Sequence, residues 1–239
     1  MPHLQFIVAV FLSFILQATA HAGAFQIMPV RLTLTPQQGT TILTIRNDSK
    51  EASVMQLELV SWSQDKGEDR YMPTRDILAT PPIFTIPAGG KQIVRVGLRR
   101  KPELQSELAY RIFITEVPAA TRAAGEVKIA LRFGIPVFVA PSAKAANAAL
   151  QWRAMAIEPG HLHIEATNRG NMHIQIAAFT LTAADGTVVA KQEGMSYLLA
   201  KQSRQWQLAA LKLPALASKL QLLARTDAND IKAEVLVEP

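Results

Sequence analysis

Val127-Lys128-Ile129-Ala130-Leu131-Arg132-Phe133-Gly134-Ile135-Pro136-Val137-Phe138-Val139 is the stretch on which the fold turns. Large apolar side chains stand at 127, 129, 131 and 133, with Lys128, Ala130 and Arg132 between them. A period of two is the repeat of an extended strand, whose successive side chains point to opposite faces. One face of this strand is therefore apolar and the other short or basic. Two readings share that pattern: an ordinary strand facing its own core, and an edge strand whose apolar side chains are lent to another protein. Alternation alone leaves both open.

Upstream, Tyr110-Arg111-Ile112-Phe113-Ile114-Thr115-Glu116-Val117-Pro118 alternates in the same way, and the segment Ala119–Glu126 separates the two. Pairing the two strands across that segment places Arg111 opposite Gly134. Further out, period-two runs cover Phe25–Leu34, Thr41–Arg46, Ser53–Trp62 and Lys91–Leu98. Pro36-Gln37-Gln38-Gly39, Asn47-Asp48-Ser49 and Pro87-Ala88-Gly89-Gly90 punctuate them as turns. After the Pro141–Asn147 segment the rhythm restarts, from Ala149–Ile157 to Ile231–Val237, with Asp185-Gly186 as a hairpin-type turn. Short strands at regular spacing predict an all-β protein of two sandwiches, over 23–141 and 142–239. The alanine-rich stretch Ala209–Lys219 has room for a helical turn but not for a helical domain.

Residues 4–16, LQFIVAVFLSFIL, form an apolar run shorter than the roughly 20 residues of a membrane span. Small residues follow at Ala18, Ala20 and Ala22, so 1–22 reads as a cleaved signal peptide and the protein as exported. The 239-residue chain has 49% hydrophobic and 18% charged residues, a formal net charge of +6 and no cysteine. That composition excludes a disulfide scaffold, thiol catalysis and a cysteine-ligated metal. In an exported protein the positive balance points away from nucleic acid, to an anionic group on a partner or to solubility alone.

His161 and His163 share a strand face by their spacing, and His173 follows, but no carboxylate completes a compact ligand set, so no metal is expected. Neither G-x-S-x-G nor H-E-x-x-H occurs, and no catalytic residue, small-molecule substrate or cofactor is expected.

In their order along the chain, four segments resemble the PapD-like periplasmic pilus chaperones of the chaperone–usher pathway. They are Pro29–Leu34 with Leu43–Asn47, Tyr110–Pro118, Val127–Leu131 followed by Pro136-Val137-Phe138, and Asn168-Arg169-Gly170-Asn171-Met172-His173. The resemblance implies two immunoglobulin-like domains in an L-shaped arrangement. It implies that the chain caps pilus subunits by donor-strand complementation and delivers them to an outer-membrane usher. The inserting residues would be Val127, Ile129 and Leu131, with Phe133 a fourth. Burying each contributes about 1.5–3 kcal/mol before the costs of association. The competing class is an immunoglobulin-like pilus subunit or surface adhesin. An exposed apolar edge also allows the free protein to cap itself as a dimer.

The family's second feature is an arginine and a lysine that hold the subunit's C-terminal carboxylate. Arg31 falls at the arginine's position, but Pro136 stands at the lysine's. Arg111, at the same end of the sheet, is the candidate substitute. This departure, the short Ala119–Glu126 segment and the lack of a disulfide resemble the archaic branch of the family.

Overall fold

The computed structural model describes residues 25–101, 105–118, 130–142, 146–158, 160–210 and 218–238. The first domain is built from β1 Phe25–Met28, β2 Leu32–Leu34, β3 Thr40–Asn47, β4 Ser53–Asp65, β5 Glu68–Pro73, β6 Ile77–Thr80, β7 Ile83–Ile86, β8 Lys91–Leu98, β9 Leu108–Val117 and β10 Arg132–Val139. The second contains β11 Leu150–Glu158, β12 His161–Asn168, β13 Ile174–Thr182, β14 Val188–Leu198, β15 Ser203–Ala209, β16 Lys219–Thr226 and β17 Ile231–Glu238.

In the first domain a sheet ordered β1-β3-β8-β6 packs on one ordered β2-β10-β9-β4-β5, with β7 pairing β4. Alternate residues of both sheets meet in one core: Leu43, Ile45, Val94 and Val96 from the first, and Met55, Ile112, Ile114 and Val137 from the second. This is the two-sheet packing expected of alternating strands. The run read as one strand from Phe25 to Leu34 is two. Phe25–Met28 pairs with β3 in one sheet, and Leu32–Leu34 runs parallel to β10 in the other. Pro29 lies between them and has no N–H to give a ladder, so the chain changes sheets there.

The second domain follows one path, β14-β13-β16-β17-β11-β12-β15, around its own core. Each domain buries one asparagine completely where a strand ends. The Asn47 amide donates to the carbonyls of Glu51 and Ile86, and that of Asn168 to those of Met172 and Leu199. Asn168 Oδ1 also accepts the Ala149 and Gly170 amides, so the resemblance-bearing Asn168-Arg169-Gly170 turn ties the start of β11 to the end of β12. A side chain at Gly170 would stand 2.2 Å from the Asn147 carbonyl oxygen, which explains why glycine sits there.

The β4–β5 hairpin turns through Lys66 (φ 50°) and Gly67 (φ 83°), a pair of positive φ values typical of a tight two-residue turn. Its tip rests on the second domain, since a Cβ at Gly67 would lie 3.1 Å from the Gln205 nitrogen. Nearby, buried Gln64 donates to the Tyr197 carbonyl and accepts the Leu199 amide. At the foot of β9, Glu107 Oε2 accepts the His173 amide and lies 2.7 Å from His173 Nδ1. His173 stacks on Phe138 with ring centroids 3.5 Å apart. The last residues of β10 are thus clamped against the second domain.

Candidate functional site

β10 pairs with β9 along its whole length, but with β2 only through Val137, Phe138 and Val139. From Arg132 to Ile135 its other edge meets no strand among the described residues. The Glu116 amide donates to the Leu131 carbonyl, so the backbone groups of odd-numbered residues face β9. Those of Arg132 and Gly134 face the open edge, and Pro136, which is buried, lies where the pairing with β2 begins. Proline is tolerated at 136 because its missing N–H falls on the side away from β9, where no bond of that ladder is lost.

Side chains divide by the same alternation. Ile135 and Val137 are buried in the core, and Leu131 and Phe133, on the same face, are half-buried. Phe133 packs edge-on against Phe25 at 6.1 Å. An apolar stripe therefore starts in the domain's own core and runs out along an unpaired edge. Val127 and Ile129 lie outside the described residues.

Arg111 is directly opposite Pro136, not Gly134, which faces Phe113. The register differs from the expected one by two residues. A two-residue slip leaves every side chain on its original face, so hydrophobic alternation cannot detect it. Arg31 immediately precedes Leu32, the partner of Val137 in the parallel pair, so it stands level with Pro136 on the opposite flank. The two arginines named from the sequence thus bracket Pro136 across three strands.

Their surroundings differ. Arg31 Nη1 donates to Asp227 Oδ2 of the second domain at 2.6 Å. Asp227 is held below the usual carboxylate range: burial pushes it up, but the Gln175 amide and the Arg31 guanidinium outweigh that. Arg111 has no carboxylate in salt-bridge reach among the described residues. Its guanidinium lies 4.0 Å from the Trp62 ring centroid, its Nη1 donates to the Tyr71 hydroxyl at 2.6 Å, and its buried Nε has no partner among the described residues. Burial raises the Tyr71 hydroxyl to about 12 against the opposing pull of Arg111, so Tyr71 stays neutral beside the cation. Tyr197 interacts electrostatically with both arginines. Gly134 makes room for this arrangement, since a Cβ there would lie 3.2 Å from both Arg111 Cδ and Phe113 Cε1. The result is an apolar, open strand edge that ends at two guanidinium groups, a geometry suited to an extended peptide ending in a carboxylate.

Residues 24–145 match the family model described as pili and flagellar-assembly chaperone, PapD N-terminal domain. The chain belongs to this family. Among solved structures it is similar to a chain of the CsuC–CsuE chaperone–tip adhesion subunit pre-assembly complex from archaic chaperone-usher Csu pili of Acinetobacter baumannii. The identity is 20%, the TM-score 0.69, and the match covers 90% of this chain and 100% of that one. It is similar to the E. coli chaperone DraB at 21% identity and a TM-score of 0.61, covering 89% and 97%. It also resembles a chain of the Salmonella enterica SafA pilin–SafB chaperone complex at 14% identity and a TM-score of 0.60, covering 91% and 98%. A search of curated proteins finds no match.

Trp62, Tyr71, Tyr197 and Asp227 complete the candidate site, and no sequence pattern marks them. Their positions fall on β4, β5, β14 and the segment after β16, which no local motif connects. The histidines divide otherwise. His161 and His163 lie on β12, His173 serves the domain junction, and no metal-binding group of three such side chains exists among the described residues.

Proposed function

We propose that this pilus-assembly chaperone captures subunits in the periplasm by adding the open edge of β10 to a subunit that lacks a strand, and then delivers them to an outer-membrane usher. The observation that carries this reading is the edge from Arg132 to Ile135 that meets no strand among the described residues and ends next to Pro136, level with Arg31 and Arg111. Strand addition supplies backbone hydrogen bonds, and alternate side chains fill the subunit's groove. Leu131 and Phe133 provide the described part of that apolar face, and Val127 and Ile129 continue the same alternation in the sequence. Phe133 also packs on Phe25, so it divides its contacts between the two proteins.

The subunit's C-terminal carboxylate is anchored first by Arg111, whose charge has no carboxylate partner among the described residues, with Arg31 as the second point. Proline in place of the family lysine, the arginine opposite it and the lack of cysteine favour the archaic branch. The reading is non-enzymatic, with no cofactor. Without a subunit, two copies would cover their edges by pairing.

Leu131→Asp tests the reading. A charge carried into an apolar groove is costly, so the variant should fold, reach the periplasm and fail to co-purify a coexpressed subunit. A folded variant that still retains the subunit at the wild-type level refutes it. An unfolded variant assigns Leu131 to the chaperone's own core.

A further inference from the structure

Arg31 is already occupied by a carboxylate. Asp227 takes Nη1 at 2.6 Å, and its other oxygen accepts the Gln175 amide at 2.9 Å. The Asp227 amide in turn donates to the Gln175 carbonyl at 3.0 Å, so this carboxylate is fixed to the second domain. The Arg31 side chain is 38% exposed. Its guanidinium has five donors, and the one ion-pair contact to Asp227 leaves others for an incoming anion. Arg31 has this one carboxylate partner and Arg111 has none in salt-bridge reach among the described residues, so the two guanidinium groups are not fully neutralised.

We propose that Asp227 is a stand-in for the subunit's terminal carboxylate: it holds Arg31 in the free chaperone and competes with the incoming carboxylate for it. This rests on the reading that a subunit carboxylate docks between Arg31 and Arg111. Exchange at Arg31 loosens one tie between the two domains as the subunit binds, so Asp227 lowers affinity and links capture to the domain junction. An asparagine at 227 keeps the shape and the carbonyl that accepts the Gln175 amide, but removes the competing charge.

The probe is an eight-residue peptide of alternating valine and threonine, preceded by two lysines for solubility and made both as the free acid and as the C-terminal amide. Calorimetric titration of full-length protein compares wild type, Asp227→Asn, Arg31→Ala and the double variant. Asp227→Asn should bind the free acid about tenfold more tightly, equal to about 1.4 kcal/mol, and leave the amide unchanged. Arg31→Ala should cost the wild type less than about twofold, because binding there only exchanges one carboxylate for another. In the Asp227→Asn background the same change should erase the whole gain. Unchanged or weaker acid binding by Asp227→Asn, or equal tightening of acid and amide, overturns the competition. Should Asp227→Asn fail to fold, a loss for Arg31→Ala as large as that for Arg111→Met overturns it instead. If the wild type does not distinguish acid from amide, the carboxylate anchor itself is wrong and the competition falls with it.

Discussion

Arg111→Met separates an anchoring role from a structural one. Methionine keeps an unbranched stem on the Trp62 face but removes the charge. In the free protein, several effects of this change oppose one another. The stacking of the guanidinium 4.0 Å from Trp62 contributes about 0.5–2 kcal/mol. The 2.6 Å bond to the Tyr71 hydroxyl adds about 1 kcal/mol. Against them, removing the charge relieves the buried, unpartnered Nε, whose cost is about 1–3 kcal/mol. The net change should be within about 1 kcal/mol, a shift in Tm of about 2–4 °C for a chain of this size. In the complex the balance differs, because a charge-assisted bond to a carboxylate contributes about 1.5–3 kcal/mol. Affinity for the free-acid peptide should fall roughly 10- to 150-fold, while the amide binds as before. Paired thermal scans and calorimetric titrations measure both quantities. A Tm lowered by more than about 8 °C, with acid-over-amide preference intact, would show that Arg111 holds the junction together and anchors nothing.

Gly134→Val should displace the Arg111 stem and the Phe113 ring, each 3.2 Å from the new Cβ, and reduce the acid-over-amide preference several-fold with the charge retained; Gly134→Ala should do less, and equal titrations for all three proteins would refute the steric role. Asn168→Leu leaves the Ala149 and Gly170 amides and the Met172 carbonyl without their partner. It should destabilise the second domain by more than about 3 kcal/mol in urea unfolding. The Asp227 carboxyl is lowered below its ordinary 3.8 in the folded chain, so its contribution is present above that value and fades as pH falls through the lower folded value. Stability measured from pH 6 down to pH 2 should therefore fall less steeply in acid for Asp227→Asn than for wild type, and identical slopes contradict the ion pair.

The strands that carry function were legible because each has one apolar face. Tyr110–Val117 alternates, and the run ending at Val139 alternates as far as Ile135, beyond which both of its faces are buried; both are strands in one sheet. Three features escaped. β5, Glu-Asp-Arg-Tyr-Met-Pro, has no apolar period; it is held by its hairpin pairing with β4 and by Tyr71 lying against Trp62. The β9–β10 register was displaced by two residues because period-two patterning is blind to an even slip. The Arg31–Asp227 pair spans 196 residues and two domains, a relation that only the packing of one domain on the other creates. Pro136, by contrast, was a usable signal. Proline in a strong strand pattern marks an edge, and that edge borders the proposed site.

In the proposed capture, a subunit strand takes the open edge of β10. Amide hydrogen exchange resolved by NMR tests it at single residues. In the free chaperone the amides of Arg132 and Gly134 should exchange fast, while those of Phe133 and Ile135, which face β9, are already protected. Binding a subunit should slow Arg132 and Gly134 by orders of magnitude and change Phe133 and Ile135 far less. Arg132 and Gly134 amides that exchange equally fast in the free protein and in the complex would contradict strand addition at this edge.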